Sequence, residues 1–180
     1  MKTRSTAVYI LRLALSLLLI TSVVAAALAS VNHITAPIIR AANEARTQES
    51  INAVLPGGGQ SIPFTDDTGL VKCVYASDAG YAVQVTPSGF DGEIDMMVGI
   101  DPAGKVTAIS IISHTETAGL GAVAAADSAA GQRFRDQFSG LTGILAVTKD
   151  GGTVDALTGA TVTSRAVTEG INAALRCVVG

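Results

Sequence analysis

The residues best suited to chemistry lie near the C-terminus, in Asp155-Ala156-Leu157-Thr158-Gly159-Ala160-Thr161-Val162-Thr163-Ser164. The pattern reads as a strand end running into a helix start. Such a junction presents unpaired backbone N–H groups and the positive end of a helix dipole, both of which suit a phosphate. Thr161, Thr163 and Ser164 add hydroxyls, and Gly159 and Ala160 are small enough to let a bulky planar ring reach the backbone. The segment contains no His or Cys and supplies no general base. Hydroxyls ahead of an apolar periodic run also serve as ordinary helix caps, and that reading stands beside the phosphate one.

A second segment, Ser113-His114-Thr115-Glu116-Thr117-Ala118-Gly119-Leu120-Gly121, places a His, an acid and glycines in one loop between a strand and a helix. Taken alone it is a turn with polar decoration. His114 and Glu116 invite a metal reading, but the other His, His33, falls at the end of an apolar run and no thiolate cluster completes a site. No metal ligand is therefore assigned.

The elements that must position these segments follow from periodicity. Leu70–Ala76 and Tyr81–Val85 flank Ser77-Asp78-Ala79-Gly80 and predict a hairpin. Ile94–Ile100 alternates, Asp101-Pro102-Ala103-Gly104 is a turn, and Val106–Ile112 returns as a second strand. Residues 122–138 are Ala-rich and predict a helix. Ile144–Thr148, the turn Lys149-Asp150-Gly151-Gly152 and Val154 predict a third hairpin. Residues 162–178 form a terminal helix with Val167, Ile171, Ala174, Leu175 and Val178 on one face. The expected class is α+β, a mostly antiparallel sheet with flanking helices.

Ahead of this domain, expected at 60–180, Leu13–Val31 is free of charge. It is long enough for a hydrocarbon core of roughly 30 Å at about 1.5 Å per residue. Lys2, Arg4 and Arg12 precede it, whereas Arg40 and Arg46 beyond it are interleaved with Glu44 and Glu49. The bias places residues 1–12 in the cytoplasm and the domain outside, in the single-pass arrangement of an inner-membrane protein. Residues 32–55 keep a helical pattern with Ile38, Ala41, Ala42, Ala45 and Ile51, as a stalk would, until Pro56-Gly57-Gly58-Gly59 stops it. A cleaved signal peptide is the competing reading, with Ala27-Leu28-Ala29 as its site. The long apolar run and the helical continuation favour the anchor.

The chain has 180 residues, a net charge of −3 and no Trp. It has no basic block in the soluble part, so nucleic-acid binding lacks its electrostatic footprint. Cys73 and Cys177 are too far apart in sequence for a CxxC motif. Buried thiols, a structural bridge and a redox pair all remain open, the first two being preferred.

The two loops together resemble the FMN-binding family that contains the G subunit of the Rnf complex and the C subunit of the sodium-translocating NADH:quinone reductase. Thr158-Gly159-Ala160-Thr161 matches that family's S/T-G-A-T flavinylation motif, and His114–Gly121 is similar to its H-x-E-T-P-G-L-G loop, with Ala118 in place of Pro. Thr35–Ile39 (TAPII), Val54–Gly57 (VLPG) and the single anchor extend the resemblance over nearly the whole chain. The short length favours the Rnf G subunit.

The resemblance implies an FMN phosphate esterified to Thr161, installed by a separate flavin transferase from FAD with a divalent metal. It implies that Thr158, Gly159, Ala160 and Thr163 surround the phosphate. Glu116, Thr117, Gly119 and Leu120 would line the isoalloxazine or ribityl chain. It implies an electron-carrying subunit, with no catalytic residues of its own, in a membrane complex that passes electrons between ferredoxin and NAD while moving Na⁺ or H⁺. Its partners would be the other Rnf subunits, the transferase and the membrane. Neither a GxGxxG fingerprint nor a Cys cluster is present for NAD or ferredoxin themselves. A stand-alone flavinylated domain for extracytoplasmic electron transfer, and a flavin-free anchored assembly subunit, are the alternatives.

Overall fold

The computed structural model describes residues 2–179. Met1 and Gly180, the outer limits of the anchor and domain expectations, lie outside the described residues, as do the side chains of Lys2 and Arg4. The chain forms two compact units, Met1–Ala45 and Arg46–Gly180.

One helix, α1 (Lys2–Val54), runs through the N-terminal unit and supplies the first residues of the second. Its most apolar 18-residue window has a mean hydropathy of 2.3 and none of it is buried. Leu13, Leu17, Leu18, Ile20, Val24 and Leu28 are all exposed. Exposure of this extent is costly in water and favourable in hydrocarbon, so the helix fits a single-pass membrane anchor.

The second unit is built on a five-stranded antiparallel sheet whose strands lie in sequence order: β1 (Gln60–Ile62), β2 (Val71–Ser77), β3 (Gly80–Val85), β4 (Ile94–Ile100) and β5 (Val106–His114). Both expected hairpins are present, at β2–β3 and β4–β5. The short edge strand β1, which pairs Ser61 with Tyr75, is additional; three residues are too few to show a period in sequence.

Alternation on the sheet sorts its side chains between two helices. Val83, Val85, Met96, Val98 and Ile100 face one way, into a core completed by Val167, Ile171, Ala174 and Leu175 of α3 (Thr161–Val179). Ala82 and Met97 face the other way, onto Ile51, Val54 and Leu55 at the end of α1. Helix α3 approaches the sheet closely because Gly170 has no side chain: a Cβ there would stand 2.5 Å from Met96 Cε and 2.9 Å from Pro87 Cγ.

Two expected elements are corrected. Residues 122–138 are not one helix but a 3-10 turn at Gly121–Ala124 and a separate α2 (Ala129–Asp136). Ser128 is the N-cap of α2, accepting from the Gly131 N–H at 3.2 Å. The Ala126 and Val123 carbonyls occupy the space a Cβ on Gly131 would need. The cap and this chain reversal override the helix propensity of the Ala run. The third hairpin is also absent. Residues 148–150 form a 3-10 turn, and Val147 makes only an isolated parallel bridge to Val154. The Val147 carbonyl instead accepts from Asp150 and Gly152 in the tight turn, and Asn172 of α3 holds Leu145, accepting from its N–H and donating to its carbonyl, each at 2.8 Å.

Cys73 and Cys177 are free, half-buried thiols. Burial, and secondarily the charge of Asp66, push the Cys177 thiol up.

Candidate functional site

Two similar turns face each other at one end of the sheet. In the first, Leu120 donates to the Thr117 carbonyl and Gly119 has φ +76°. In the second, Ala160 donates to the Leu157 carbonyl and Gly159 has φ +76°. A positive φ at the third residue marks type II turns and explains a glycine at each position. Ala118, which departs from the family's Pro, sits at the second position of the first turn. The two turns meet where Leu120 reaches over Gly159, whose missing Cβ would lie 3.0 Å from Leu120 Cδ2.

The second turn delivers the chain into α3 with Ala160 at the N-cap position. Ser164 N–H is the first to bond within the helix, onto the Ala160 carbonyl. The N–H groups of Thr161, Val162 and Thr163 precede it and have no carbonyl inside the helix to meet. Alanine cannot cap them, and the neighbouring hydroxyls are engaged elsewhere. Ser164 Oγ donates to the Ala160 carbonyl and accepts from Leu157 N–H. Thr163 Oγ1 donates to the Glu116 carboxylate. Thr161 Oγ1 accepts from Lys149 Nζ at 3.0 Å. The simple capping role that the Ser/Thr cluster suggests is therefore not what these hydroxyls do.

Glu116 is 7 % exposed and ties three segments together. Its Oε1 accepts from the N–H groups of Phe90 (2.8 Å) and Asp91 (3.1 Å), and its Oε2 accepts from Thr163. Gly89 and Gly121 press so close to this carboxylate that neither has room for a Cβ. Thr115 Oγ1 adds a bond to the Asp91 carbonyl at 2.9 Å. The 87–94 loop is thereby held against the start of α3, with Phe90 71 % exposed beside it.

These elements enclose a cavity of about 300 Å³ lined by Phe90, Glu116, Thr117, Leu120, Gly121, Lys149 and residues 159–163. That volume is at the lower end of small-molecule sites, roughly 300–1,000 Å³. Of the residues singled out in sequence, the structure brings Glu116, Thr117, Leu120, Gly159, Ala160, Thr161 and Thr163 to this one cavity. Thr158 and Gly119 line a neighbouring open cavity of about 620 Å³ with Arg133, Gln137 and Asp155. Leu120 separates the two, since it lines both.

Sequence reasoning missed Phe90, Gly121, Lys149 and Val162 as site residues. Gly121 and Val162 fall inside the two motif segments. Phe90 and Lys149 come from distant turns, and no local spacing ties them to Thr161. His114 lies at the end of β5, its Nδ1 buried without a partner. Among the described residues no set of three or more His, Cys, Asp or Glu side chains gathers as a metal site would.

The arrangement suits a phosphorylated aromatic ligand. Free N–H groups, a hydroxyl and a lysine converge at one end, and Phe90, Leu120 and Val162 present apolar surface around the opening.

Comparison with known proteins agrees. The model of the FMN-binding domain family matches residues 89–176. The chain is 35% identical over 156 residues to the G subunit of the proton-translocating ferredoxin:NAD(+) oxidoreductase complex of Clostridium ljungdahlii, covering 84% of this chain and 82% of the relative. It is 33% identical over 193 residues to the G subunit of the Na(+)-translocating ferredoxin:NAD(+) oxidoreductase complex of Acetobacterium woodii, covering 93% and 90%. The G subunit of an ion-translocating oxidoreductase complex of Methanosarcina acetivorans is 28% identical over 179 residues, covering 92% and 93%. The chain belongs to the G-subunit family of ion-translocating oxidoreductase complexes and contains that family's FMN-binding domain.

Proposed function

We propose that this chain is the membrane-anchored electron-carrying G subunit of an Rnf-type ion-translocating ferredoxin:NAD oxidoreductase, with FMN joined through its phosphate to Thr161. The observation that carries the reading is the place of Thr161. Its hydroxyl opens into the cavity at the uncapped start of α3, beside Lys149. In the ester, Thr161 Oγ1 exchanges its hydrogen for the FMN phosphorus; FAD releases AMP, and the proton goes to solvent.

Bound FMN supplies reversible electron uptake and release, which no side chain of the site offers. The chain's own residues bind and orient. The N–H groups at the start of α3, with Gly159, Ala160 and Thr163, form the phosphate end, while Thr158 lies on the neighbouring cavity. Thr117 and Leu120 form walls for the ring or ribityl chain, and Gly119 shapes the turn that carries Leu120 from the side of the neighbouring cavity. Glu116 holds the Phe90 loop and α3 in register, and its carboxylate places negative charge beside the ring. Such charge disfavours an anionic reduced flavin and lowers its potential. A covalent bond keeps the cofactor where free FMN outside the membrane is too dilute to hold the site full.

The α1 anchor fits attachment beside the other subunits of such a complex. The basic N-terminus supports an extracytoplasmic domain. A flavin transferase using FAD and a divalent metal is the partner required for maturation.

The test is intact mass and in-gel flavin fluorescence of the chain co-expressed with such a transferase, beside Thr161→Ala. A gain equal to FMN minus water, fluorescent after denaturation and absent from the variant, is the expected result. No gain in the wild type, with the transferase active on a proven substrate, would remove the ester.

A further inference from the structure

We propose that Lys149 is the residue that recognises the flavin's phosphate, held over Thr161 by a turn built for that purpose. The inference rests on the FMN reading of the same site and adds a residue outside its two sequence motifs.

Lys149 Nζ donates to Thr161 Oγ1 at 3.0 Å, so the cation already lies on the atom that would bear the phosphoryl group. Lys149 lines the same cavity as Thr161, Val162 and Thr163. It brings to their backbone donors a full positive charge with more than one N–H to give.

The turn carrying Lys149 is fixed at both ends. The Asp150 and Gly152 N–H groups bond the Val147 carbonyl, at 2.8 and 3.1 Å, and Thr148 N–H bonds the Val154 carbonyl at 2.8 Å. Gly151 has φ +84°, and Gly152 lies so tightly on the Ala146 carbonyl that no Cβ fits. The two glycines after Lys149-Asp150 are thus demanded by the turn.

Asp150 then clamps the turn to α3. Both its oxygens accept from Arg165, at 2.7 Å from Nε and 2.6 Å from an Nη. Arg165 follows Thr161 by one helical turn, so the fork fixes Lys149 relative to the start of α3. The neighbouring acid is already paired with Arg165, which leaves Lys149 directed at Thr161. Glu116, whose carboxylate does line the cavity, is committed to Phe90, Asp91 and Thr163.

The experiment uses the full chain, made without transferase and held in detergent. It is titrated with FMN and separately with riboflavin, which lacks the phosphate, and flavin fluorescence is followed. Wild type should prefer FMN. Lys149→Met should reduce that FMN-over-riboflavin preference roughly tenfold, the worth of one charge-assisted hydrogen bond. Lys149→Arg should keep most of the preference, because the charge and donors remain. Asp150→Asn should lose part of it while keeping the lysine, because the clamp is loosened.

An unchanged preference in Lys149→Met, or none in wild type, would overturn the inference. An equal loss in Lys149→Arg would overturn it too, since charge would then not be what matters. A wild-type chain that prefers FMN through Lys149 yet never gains FMN mass from an active transferase would keep the inference and remove only the ester.

Discussion

Glu116 ties the Phe90 loop and α3 together at the cavity wall. Buried and accepting three hydrogen bonds, it is part of the scaffold. Glu116→Ala leaves the Phe90 and Asp91 N–H groups and the Thr163 hydroxyl without their acceptor. It should cost about 2–3 kcal/mol in urea unfolding. Glu116→Gln keeps an oxygen for the two N–H groups and can turn its amide toward Thr163. It should fold with a loss of about 1 kcal/mol or less. In the flavin-loaded chain the same Gln variant should raise the flavin potential in redox titration, because the negative charge is gone. An unchanged potential would leave Glu116 a purely structural role. Its presence in the loop is legible in sequence. Its engagement with Phe90, 26 positions earlier, and Thr163, 47 positions later, is not.

One level up, the turns determine the site. Ala118 occupies the position of a type II turn that favours a preset φ. Ala118→Pro should therefore raise stability by about 0.4–1 kcal/mol in the unloaded protein, by narrowing the unfolded chain. A destabilised variant would show that the turn needs a different φ there. The β1–β2 connection gives a pH test. Burial pushes the Asp66 carboxyl up, but bonds from the Thr68 hydroxyl and the Val71, Thr68 and Gly69 N–H groups outweigh it and leave it below its usual value. A lowered carboxyl stabilises the fold fully above its unfolded pKa, roughly 3.9, and loses that contribution as pH falls through the folded value. Wild type should exceed Asp66→Asn in stability at pH 7, and the gap should close below about pH 4. A gap that persists into acid would mean that the charge of Asp66 is irrelevant.

Across the whole molecule, the boundary between the two units falls within α1. Ile51, Val54 and Leu55 are buried against Ala82 and Met97, so the last turns of the long helix are core rather than spacer. A chain beginning at Arg46 should unfold cooperatively as an intact domain. One beginning at Gln60 should be several kcal/mol weaker, at about 1.5–3 kcal/mol for each buried side chain lost. Equal thermal stability of the two would contradict that packing.

The anchor, the two hairpins, the terminal helix and the hydroxyl-rich turn at Thr161 can all be read from the order of residues alone. Each is written in a local period or in adjacent residues, and local patterns survive without knowledge of distant neighbours. Long-range contacts settle the rest. The 122–138 run divides because a Ser cap and a close approach at Gly131 outweigh propensity. The expected third hairpin gives way to a turn closed on the Val147 carbonyl, with Leu145 held by Asn172 of α3. Lys149 and Phe90 are brought to the cavity of Thr161 by the Asp150–Arg165 fork and the Glu116 carboxylate. Those bonds join residues far apart in the chain, and no local pattern records which distant groups will meet.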